Sequence, residues 1–175
     1  MKKVIFYEQL ELKSFVVLTK NEKQLVYQWR NNQKISKWMI NQNKFSYTEH
    51  LRFIKKLAKD NNNFHWLVQN KIDKEYLGVC NLVNIDKKHK HCYLGIYVNP
   101  SLQNKGYGTD ILKVLKHIAY NLLNIHTIKL EVFEHNSRAI NFYKKNGFKK
   151  EGLLKDYILI NNKWHNLLLM GHFPK

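Results

Sequence analysis

Apolar residues in the N-terminal part of the chain change from an alternating spacing to a helical one. Alternation through Ile5–Leu10 and the apolar run Phe15–Leu18 predict an opening β-strand region. Leu25 and Trp29 then lie four residues apart, the spacing of one helix face. The helices predicted here run from an Asn21 cap to about Arg30, over Ile35–Ile40, and from Glu49 to Ala58 after a Ser46 or Thr48 cap.

The middle of the chain consists of strand-like runs separated by polar turns. The predicted strands are Phe64–Val68, Tyr76–Ile85 and Cys92–Val98. The segments between them, Asn70–Lys74 and Asp86–Lys90, are short and polar. Such direct connections imply an antiparallel sheet.

Helices and strands alternate in the C-terminal part. A long helix is predicted after the loop that follows Pro100, and it extends to about Leu123. The other predicted elements are a strand at Thr127–Phe133, a helix at Asn136–Lys145, and strands at Tyr157–Ile160 and Trp164–Met170 joined by an Asn161–Asn162 turn. The order predicts a single mixed α/β (α+β) domain over residues 1–175, with a partly antiparallel central sheet.

Composition and charge exclude several classes of protein. Apolar residues are 44% and aromatic residues 13% of the chain, which is typical of a globular domain. No window approaches a membrane span, and the N-terminus lacks the apolar core of a secretory signal, so a cytoplasmic location without a membrane partner is expected. The net charge of +17 favours anionic partners, but the lysines are spread along the chain, so no nucleic-acid partner is predicted.

Neither the cysteines nor the paired histidines predict a metal site. Cys80 and Cys92 lie in apolar, strand-like stretches without a CxxC motif, and we expect buried reduced thiols. His89 and His91 share a strand face, but the sequence offers no further ligands beside them. Two exposed basic residues at a strand start are the expected outcome.

A glycine loop, Gln103–Gly108, follows a predicted strand and precedes the long helix. Glycines allow a close backbone approach, so that N–H groups and the helix N-terminus can converge on an anion such as a pyrophosphate. The loop lacks the Gly-Lys-Ser/Thr of a Walker motif and the third glycine of a dinucleotide fingerprint. A plain helix-capping loop remains the alternative reading.

A second group of residues lies on the next helix. Asn136 is positioned as its N-cap, and Ala139, Ile140 and Tyr143 share one helix face before the Asn146–Gly147 stop. A tyrosine on such a face is either a core residue with one hydrogen bond or a general acid above a leaving group.

Together these segments resemble the GNAT superfamily of acetyl-CoA-dependent N-acetyltransferases. The carrying motifs are Gln-x-x-Gly-x-Gly before a long helix, then Asn-x-x-Ala-x-x-x-Tyr-x-x-x-Gly-Phe, and the strand Tyr93–Pro100 is also similar to that family. The resemblance covers essentially the whole chain. It implies a GNAT fold with splayed fourth and fifth strands, acetyl-CoA as cosubstrate and no metal.

The resemblance also implies roles for the cofactor half. The strand around Leu94, Ile96 and Val98 would offer backbone groups to the pantetheine amides, and Asn136 would hydrogen-bond to the pantetheine. The expected pyrophosphate loop comprises Gln103, Asn104, Lys105, Gly106, Tyr107, Gly108 and Thr109. Tyr143 would protonate, or hydrogen-bond to, the departing thiolate. Lys105 or Lys145 could meet the adenosine phosphates, or be solvated surface charges.

A narrower resemblance is to the acetyltransferases of pseudaminic acid biosynthesis in flagellated bacteria. Its motifs are Trp29-Arg30-Asn31, Trp38-Met39, His50 with Phe53, and the segments 151–156 and 164–170; Asn166 departs from the acidic residue of many relatives. This implies transfer of acetyl to the 4-amino group of UDP-4-amino-4,6-dideoxy-N-acetyl-β-L-altrosamine, a step that feeds flagellin glycosylation.

The same likeness implies an acceptor pocket in the helical half. Arg30 would pair with a nucleotide phosphate, assisted by His50, or would only complement a helix dipole. Met39, Phe53 and Tyr93 could sandwich the uracil or pack on the sugar, although Met39 and Phe53 could equally be helix-packing core.

Proton removal from the acceptor amine has a first candidate in Glu131, whose alternatives are a rim salt bridge or a sugar-hydroxyl contact. Asn81 could hold a relay water.

Two other functions stay open at this point. One is a ribosomal-protein or peptide N-terminal acetyltransferase, which shares the cofactor half. The other is a non-catalytic acyl-CoA-binding or RNA-binding module on the same scaffold. An oligomer is compatible with each of these functions, because the sequence does not set the number of subunits.

Overall fold

One mixed sheet carries the fold, and the computed structural model describes it over residues 3–174. Within those residues the sheet has eight strands. The elements are β1 (Val4–Tyr7), β2 (Leu10–Ser14), α1 (Lys20–Asn31), α2 (Gln33–Ser36), α3 (Tyr47–Leu57), β3 (Phe64–Asn70), β4 (Tyr76–Asp86), β5 (His91–Val98), α4 (Tyr107–His117), β6 (Thr127–Phe133), α5 (Ser137–Lys145), β7 (Lys149–Ile160) and β8 (Lys163–His172). None of the helices in residues 3–174 is both long and apolar enough to cross a membrane.

The strand order is β1-β2-β3-β4-β5-β6-β8-β7, and only the β5–β6 pair is parallel. That pair is short: His91–Tyr93 pair with Thr127–Lys129, and the two strands then diverge. The predicted mixed α/β architecture with a splayed strand pair is therefore confirmed. The strands expected to diverge were the fourth and fifth. They are numbered β5 and β6 here because the N-terminal segment forms two strands instead of one.

The N-terminal strand prediction was wrong in detail. Glu8 adopts a left-handed conformation (φ 48°), which turns the chain between β1 and β2. Phe15–Val17 then forms a 3₁₀ turn instead of a strand. Pairing of β2 with β3 ends at Ser14, and the Phe15 side chain is buried against α1 and α3. Tertiary packing of this aromatic ring replaces continued strand pairing.

Capping interactions decide where the N-terminal helices begin. The Thr19 hydroxyl accepts a hydrogen bond from the Glu22 N–H, and the Glu22 carboxylate accepts one from the Thr19 N–H. This capping box starts α1 at Lys20, so the predicted Asn21 cap was wrong. Ser46 caps α3 in the same way with Glu49, as one of the two predicted caps.

Two further boundaries differ from the predictions. The helix predicted over Ile35–Ile40 is the single turn α2, capped by the Asn32 side chain. The strand predicted at Tyr157 begins at Lys149, because the first half of β7 also pairs with β8. Its first residues are mostly exposed, so they carry no apolar alternation.

Separate apolar cores cover the two faces of the sheet. On one face α1 and α3 pack on Leu67 and Val79, whereas on the other α4 packs on residues such as Cys80 and Leu94. Both cysteines are buried and free, as predicted. The two faces meet at the gap between β5 and β6, which is where a site can pass through the sheet.

Candidate active site

A cleft of about 1020 Å³ opens where β5 and β6 diverge. It is lined by the N-terminal helical half on one side and by β5, β6, the glycine loop and α5 on the other. The predicted site residues that line it are Arg30, Met39, His50, Phe53, Asn81, Leu94, Ile96, Val98, Gln103, Asn104, Lys105, Gly106, Tyr107, Gly108, Thr109, Glu131, Asn136 and Tyr143.

Tyr93 is the predicted residue that does not line the cleft. It still pairs with Lys129 of β6 and therefore lies before the point of divergence. Tyr97, four residues further along β5, lines the cleft instead.

The glycine loop presents an uncapped helix N-terminus to the cleft. Gly106 is the N-cap of α4 with φ 89°, and no side chain caps the helix. A β-carbon added at Gly106 would meet no atom within 4 Å, so the surrounding space is open. Asn104 is also left-handed (φ 70°), and Thr109 N–H donates to the Gly106 carbonyl at 2.9 Å. The remaining N–H groups of the first turn can bind an anion.

The walls of the loop come from α5 and β5. A β-carbon added at Gly108 would lie 3.4 Å from Phe142 and 3.7 Å from Val98, in ordinary contact. Arg138 of α5 donates to the Gln103 side chain at 3.4 Å. Lys105 lines the cleft, whereas Lys145 is exposed and lies outside it.

Tyr143 lies on the buried face of α5. Asn136 caps this helix by accepting from the Ala139 N–H at 3.2 Å, as predicted. The Tyr143 ring packs edge-on against Phe142 and Phe148, and burial raises the pKa of its phenol to about 12. The hydroxyl therefore stays protonated near neutral pH, which a hydrogen-bond donor to a leaving thiolate requires.

Half-buried Arg30 and buried His50 line the cleft on the side of the N-terminal helices. Arg30 Nη2 donates to the Asn41 carbonyl at 2.7 Å, and the guanidinium lies 5.4 Å from the Phe45 ring centroid. The His50 side chain is 3% exposed among aromatic rings such as Tyr27. Within residues 3–174, Arg30 Nη1 and His50 Nε2 are the buried side-chain atoms without a hydrogen-bond partner.

Burial weakens the charged forms of both side chains. It lowers the pKa of Arg30, with a small opposing contribution from Tyr97. It also lowers the pKa of His50, against a hydrogen bond to the Lys23 backbone that raises it. Unpartnered polar atoms in such a place are costly unless a ligand supplies the missing partners.

Glu131 and Asn81 flank the gap between the diverging strands. Glu131 is on β6, exposed towards the cleft, and partial burial raises the pKa of its carboxyl. Asn81 pairs with Gly95 across β4 and β5, and its amide lies over that glycine. An acidic group and an amide are thus available on either side of the opening.

Phe53 and Met39 have different surroundings. Phe53 is 41% exposed at the cleft and meets His65 edge-on, with a ring-centroid distance of 5.1 Å. Met39 is half-buried and packs against the α1–α3 core while still lining the cleft.

Several cleft residues were missed by sequence reasoning. They include Phe45, His65, Tyr97 and Arg138, and also Trp38, which the sequence offered only as part of a motif. His65 is held between Phe15 and Phe53, and burial lowers the pKa of its imidazole to about 4. One sequence feature could have indicated that His65 faces the N-terminal helices. It lies two residues before Leu67, on the same face of the strand, and Leu67 is a buried apolar residue.

Two sequence features lie apart from the cleft. Asn166 donates to Glu134 at 2.8 Å and accepts from the Asp156 N–H at 2.8 Å, so it holds the β7–β8 hairpin. His89 and His91 do not line the cleft, and no group of three or more His, Cys, Asp or Glu residues within 3–174 could hold a metal ion.

The cleft fits an extended thioester cosubstrate with an anionic end. The open space at Gly106 and the uncapped start of α4 suit a diphosphate, and β5 presents an edge without a β6 partner beyond Tyr93. Tyr143 lies on the α4–α5 side of the sheet, whereas Asn81 shares the opposite face with Val79.

Known proteins are similar to this chain over most of its length. Acetyltransferase PseH of Campylobacter jejuni subsp. jejuni (serotype O:2) is 34% identical over 151 residues, 86% of this chain and 92% of that protein. The [ribosomal protein uS5]-alanine N-acetyltransferase of Escherichia coli K12 is 31% identical over 120 residues, 68% of this chain and 62% of that protein.

A solved structure and a family model agree with these relatives. Spermidine N-acetyltransferase from Vibrio cholerae, in complex with CoA and spermine, superposes with a TM-score of 0.86 at 24% identity, covering 95% of this chain and 96% of that one, which shows the shared fold. Residues 24–148 match the acetyltransferase (GNAT) family model. The chain belongs to the GNAT family and is an acetyl-CoA-dependent N-acetyltransferase.

Proposed function

We propose that this enzyme acetylates the 4-amino group of UDP-4-amino-4,6-dideoxy-N-acetyl-β-L-altrosamine in pseudaminic acid biosynthesis, the pathway that feeds flagellin glycosylation. The observation that carries the proposal is the pair of buried, unpartnered atoms Arg30 Nη1 and His50 Nε2 at the acceptor side of the cleft. A desolvated guanidinium with a free N–H group calls for an anionic partner, and the acceptor's diphosphate supplies one.

His50 is suited to a different part of the same acceptor. Burial lowers the pKa of its imidazole, which favours the neutral ring, and its buried Nε2 has no hydrogen-bond partner. A ribose or sugar hydroxyl, which can both donate and accept, can be that partner. Arg30 would thus bind the phosphates and His50 would bind a hydroxyl, while Phe53 and Met39 pack on the uracil or the sugar.

The charge of the cleft supports this acceptor over the alternatives. Five cationic side chains line it (Arg30, Lys34, Lys37, Lys105 and Arg138), against two carboxylates (Glu49 and Glu131). This excess attracts a nucleotide-linked sugar and repels a polyamine or a basic peptide N-terminus. The similarity to the uS5-alanine and spermidine enzymes then reflects the shared cofactor half and fold.

The proposed reaction is a direct transfer. The acceptor ammonium gives a proton to the Glu131 carboxylate, directly or through a water that Asn81 could hold. The free amine attacks the thioester carbonyl carbon, and a backbone N–H of β5 stabilises the oxyanion. When the intermediate collapses, the C–S bond breaks and its electron pair goes to sulfur. Tyr143 acts as the general acid: it donates a hydrogen bond, or its proton, to the thiolate. The nitrogen loses its remaining extra proton to water as the amide forms, and a deprotonated Tyr143 regains its proton from water.

The test is thiol release from acetyl-CoA with three acceptors: the UDP-linked aminosugar, the same sugar without UDP, and spermidine. Turnover that requires UDP, and that falls in Tyr143→Phe, is the expected result. Turnover with spermidine alone would instead assign a polyamine acceptor. Binding of acetyl-CoA without turnover of these three amines would reject the sugar acceptor and point to a peptide or ribosomal-protein N-terminus, or to a non-catalytic module.

A further inference from the structure

Residues 33–41, here named the strap, cross between the acceptor and cofactor halves of the cleft. The strap consists of α2 and the turn after it, in which Trp38 N–H donates to the Ile35 carbonyl at 3.0 Å and Met39 N–H to the Ser36 carbonyl at 3.0 Å. Most of its residues line the cleft. A ligand in either half therefore meets the same short segment.

Two contacts join the strap to the cofactor half. Lys34 Nζ lies 3.5 Å from the Pro100 carbonyl, shortly before the glycine loop. The Trp38 ring packs on His135 with a centroid distance of 5.7 Å, and His135 directly precedes the Asn136 cap of α5. The position of the strap thus depends on the two loops that flank the predicted acetyl-CoA site.

His135 is itself held in place. Its ring centroid lies 5.4 Å from that of Phe133 and 5.3 Å from that of His165. Trp38 therefore rests on a group of rings that comes from β6, β8 and the turn before α5, although Trp38 remains 38% exposed.

The other end of the strap is joined to the acceptor half. Arg30 Nη2 donates to the carbonyl of Asn41, the last residue of the strap, while Nη1 is unpartnered. One guanidinium therefore connects the strap to the position proposed for the acceptor's diphosphate.

We propose that the strap couples the two substrates, with Trp38 as its positioning residue: acetyl-CoA against the glycine loop and α5 fixes the strap, and the fixed strap strengthens binding of the acceptor's UDP group at Arg30. This inference rests on the proposed UDP-linked acceptor. The physical reason is that both ligands contact the same segment, so the ligand that binds first fixes the position of the strap that the second ligand needs. The coupling is reciprocal.

The experiment measures the Kd of UDP by calorimetry with and without saturating CoA. We expect CoA to tighten UDP binding by about five-fold or more in the unmodified enzyme, and UDP to tighten CoA binding by the same factor. Trp38→Ala should bring this factor close to one while the affinity for CoA alone changes little. Trp38→Phe keeps a ring on His135 and should restore the coupling. Trp164→Ala, an exposed tryptophan outside the cleft, is the matched control and should keep it.

Three results would overturn the coupling: equal UDP affinity with and without CoA, the same coupling factor in Trp38→Ala as in the unmodified enzyme, or weaker binding of both ligands at an unchanged factor. If UDP binds under neither condition, the proposed acceptor is wrong, and amide hydrogen exchange then tests the strap separately. CoA should slow exchange over residues 33–41 in the unmodified enzyme and not in Trp38→Ala. Unchanged exchange in the unmodified enzyme would reject the strap's response to CoA.

Discussion

The side-chain amide of Asn81 occupies the space above Gly95. The two residues are paired across β4 and β5, and a β-carbon built on Gly95 would lie 2.9 Å from both Asn81 Nδ2 and Asn81 Oδ1. Asn81 therefore lies over β5 at the edge where the cleft opens, and only glycine at position 95 leaves room for it.

Gly95→Ala is expected to displace the Asn81 amide and impair acceptor turnover. A misplacement of about 1 Å in a catalytic site can lower the rate roughly 10²-fold, so we expect kcat/KM for the acceptor to fall by about ten- to a hundred-fold. The Kd of CoA should change little. Steady-state kinetics and calorimetry check these values.

Gly152→Ala is the matched control for that substitution. Its β-carbon would meet Leu169 at 3.8 Å, an ordinary contact, so activity should be retained. Unchanged acceptor kinetics in Gly95→Ala would show that the position of the Asn81 amide does not matter for turnover.

Tyr143→Phe should lower kcat by about 10²- to 10⁴-fold, the usual contribution of a general acid. The ring and its packing on Phe142 and Phe148 remain, so folding and CoA affinity should persist. Because burial raises the pKa of Tyr143 to about 12, the phenol should not cause a loss of kcat below roughly pH 10. A pH–rate profile of both proteins measures this, with exposed Tyr157→Phe as the control. Full activity in Tyr143→Phe would show that Tyr143 is a packing residue of the core and not the general acid.

Arg30→Lys keeps a positive charge but removes the planar guanidinium. In the native enzyme that group binds the Asn41 carbonyl through Nη2 while its Nη1 has no protein partner. Charged hydrogen bonds contribute about 1.5–3 kcal/mol, so KM for the UDP-linked acceptor should rise by about ten- to a hundred-fold. The Kd of CoA should not change. Steady-state kinetics with the UDP-linked acceptor and calorimetry with CoA measure this, and Arg52→Lys, on the exposed side of α3, is the control. An unchanged KM for the UDP-linked acceptor would argue against a phosphate contact.

His65 is expected to make folding stability depend on pH. Burial lowers the pKa of its imidazole to about 4, whereas the unfolded chain keeps a value of about 6.5. Between these values the unfolded state binds a proton that the folded state does not, so stability falls as the pH decreases from about 6.5 towards 4. The shift corresponds to at most roughly 3 kcal/mol.

Denaturant unfolding between pH 4 and pH 7 tests this dependence. His65→Phe keeps an aromatic ring between Phe15 and Phe53 and should lose less stability on acidification than the unmodified enzyme. His89→Phe, at the exposed β4–β5 turn, should retain the unmodified dependence. The same loss of stability in His65→Phe would mean that other groups are responsible.

The sequence by itself determined the local structure of the glycine loop and α5, which we assign to the cofactor, because the features there are local. Gly106 must adopt a positive φ at the start of α4, Asn136 caps α5 through the Ala139 N–H, and Tyr143 follows two helical turns later. Such dihedral and capping requirements involve only neighbouring residues, so short motifs express them. The strands β5 and β6, which border the cleft, were predicted for the same reason, because each has its own apolar periodicity.

Only the tertiary structure decided where the cleft opens and what faces it. The divergence of β5 and β6 after Tyr93 depends on pairing between distant segments, and it excludes Tyr93 while admitting Tyr97. The contact of Trp38 with His135 joins residues almost a hundred positions apart. Periodicity shows which face of an element is apolar, but not which partner packs on it. The desolvation of Arg30 and His65 follows from that packing, and no local pattern encodes it.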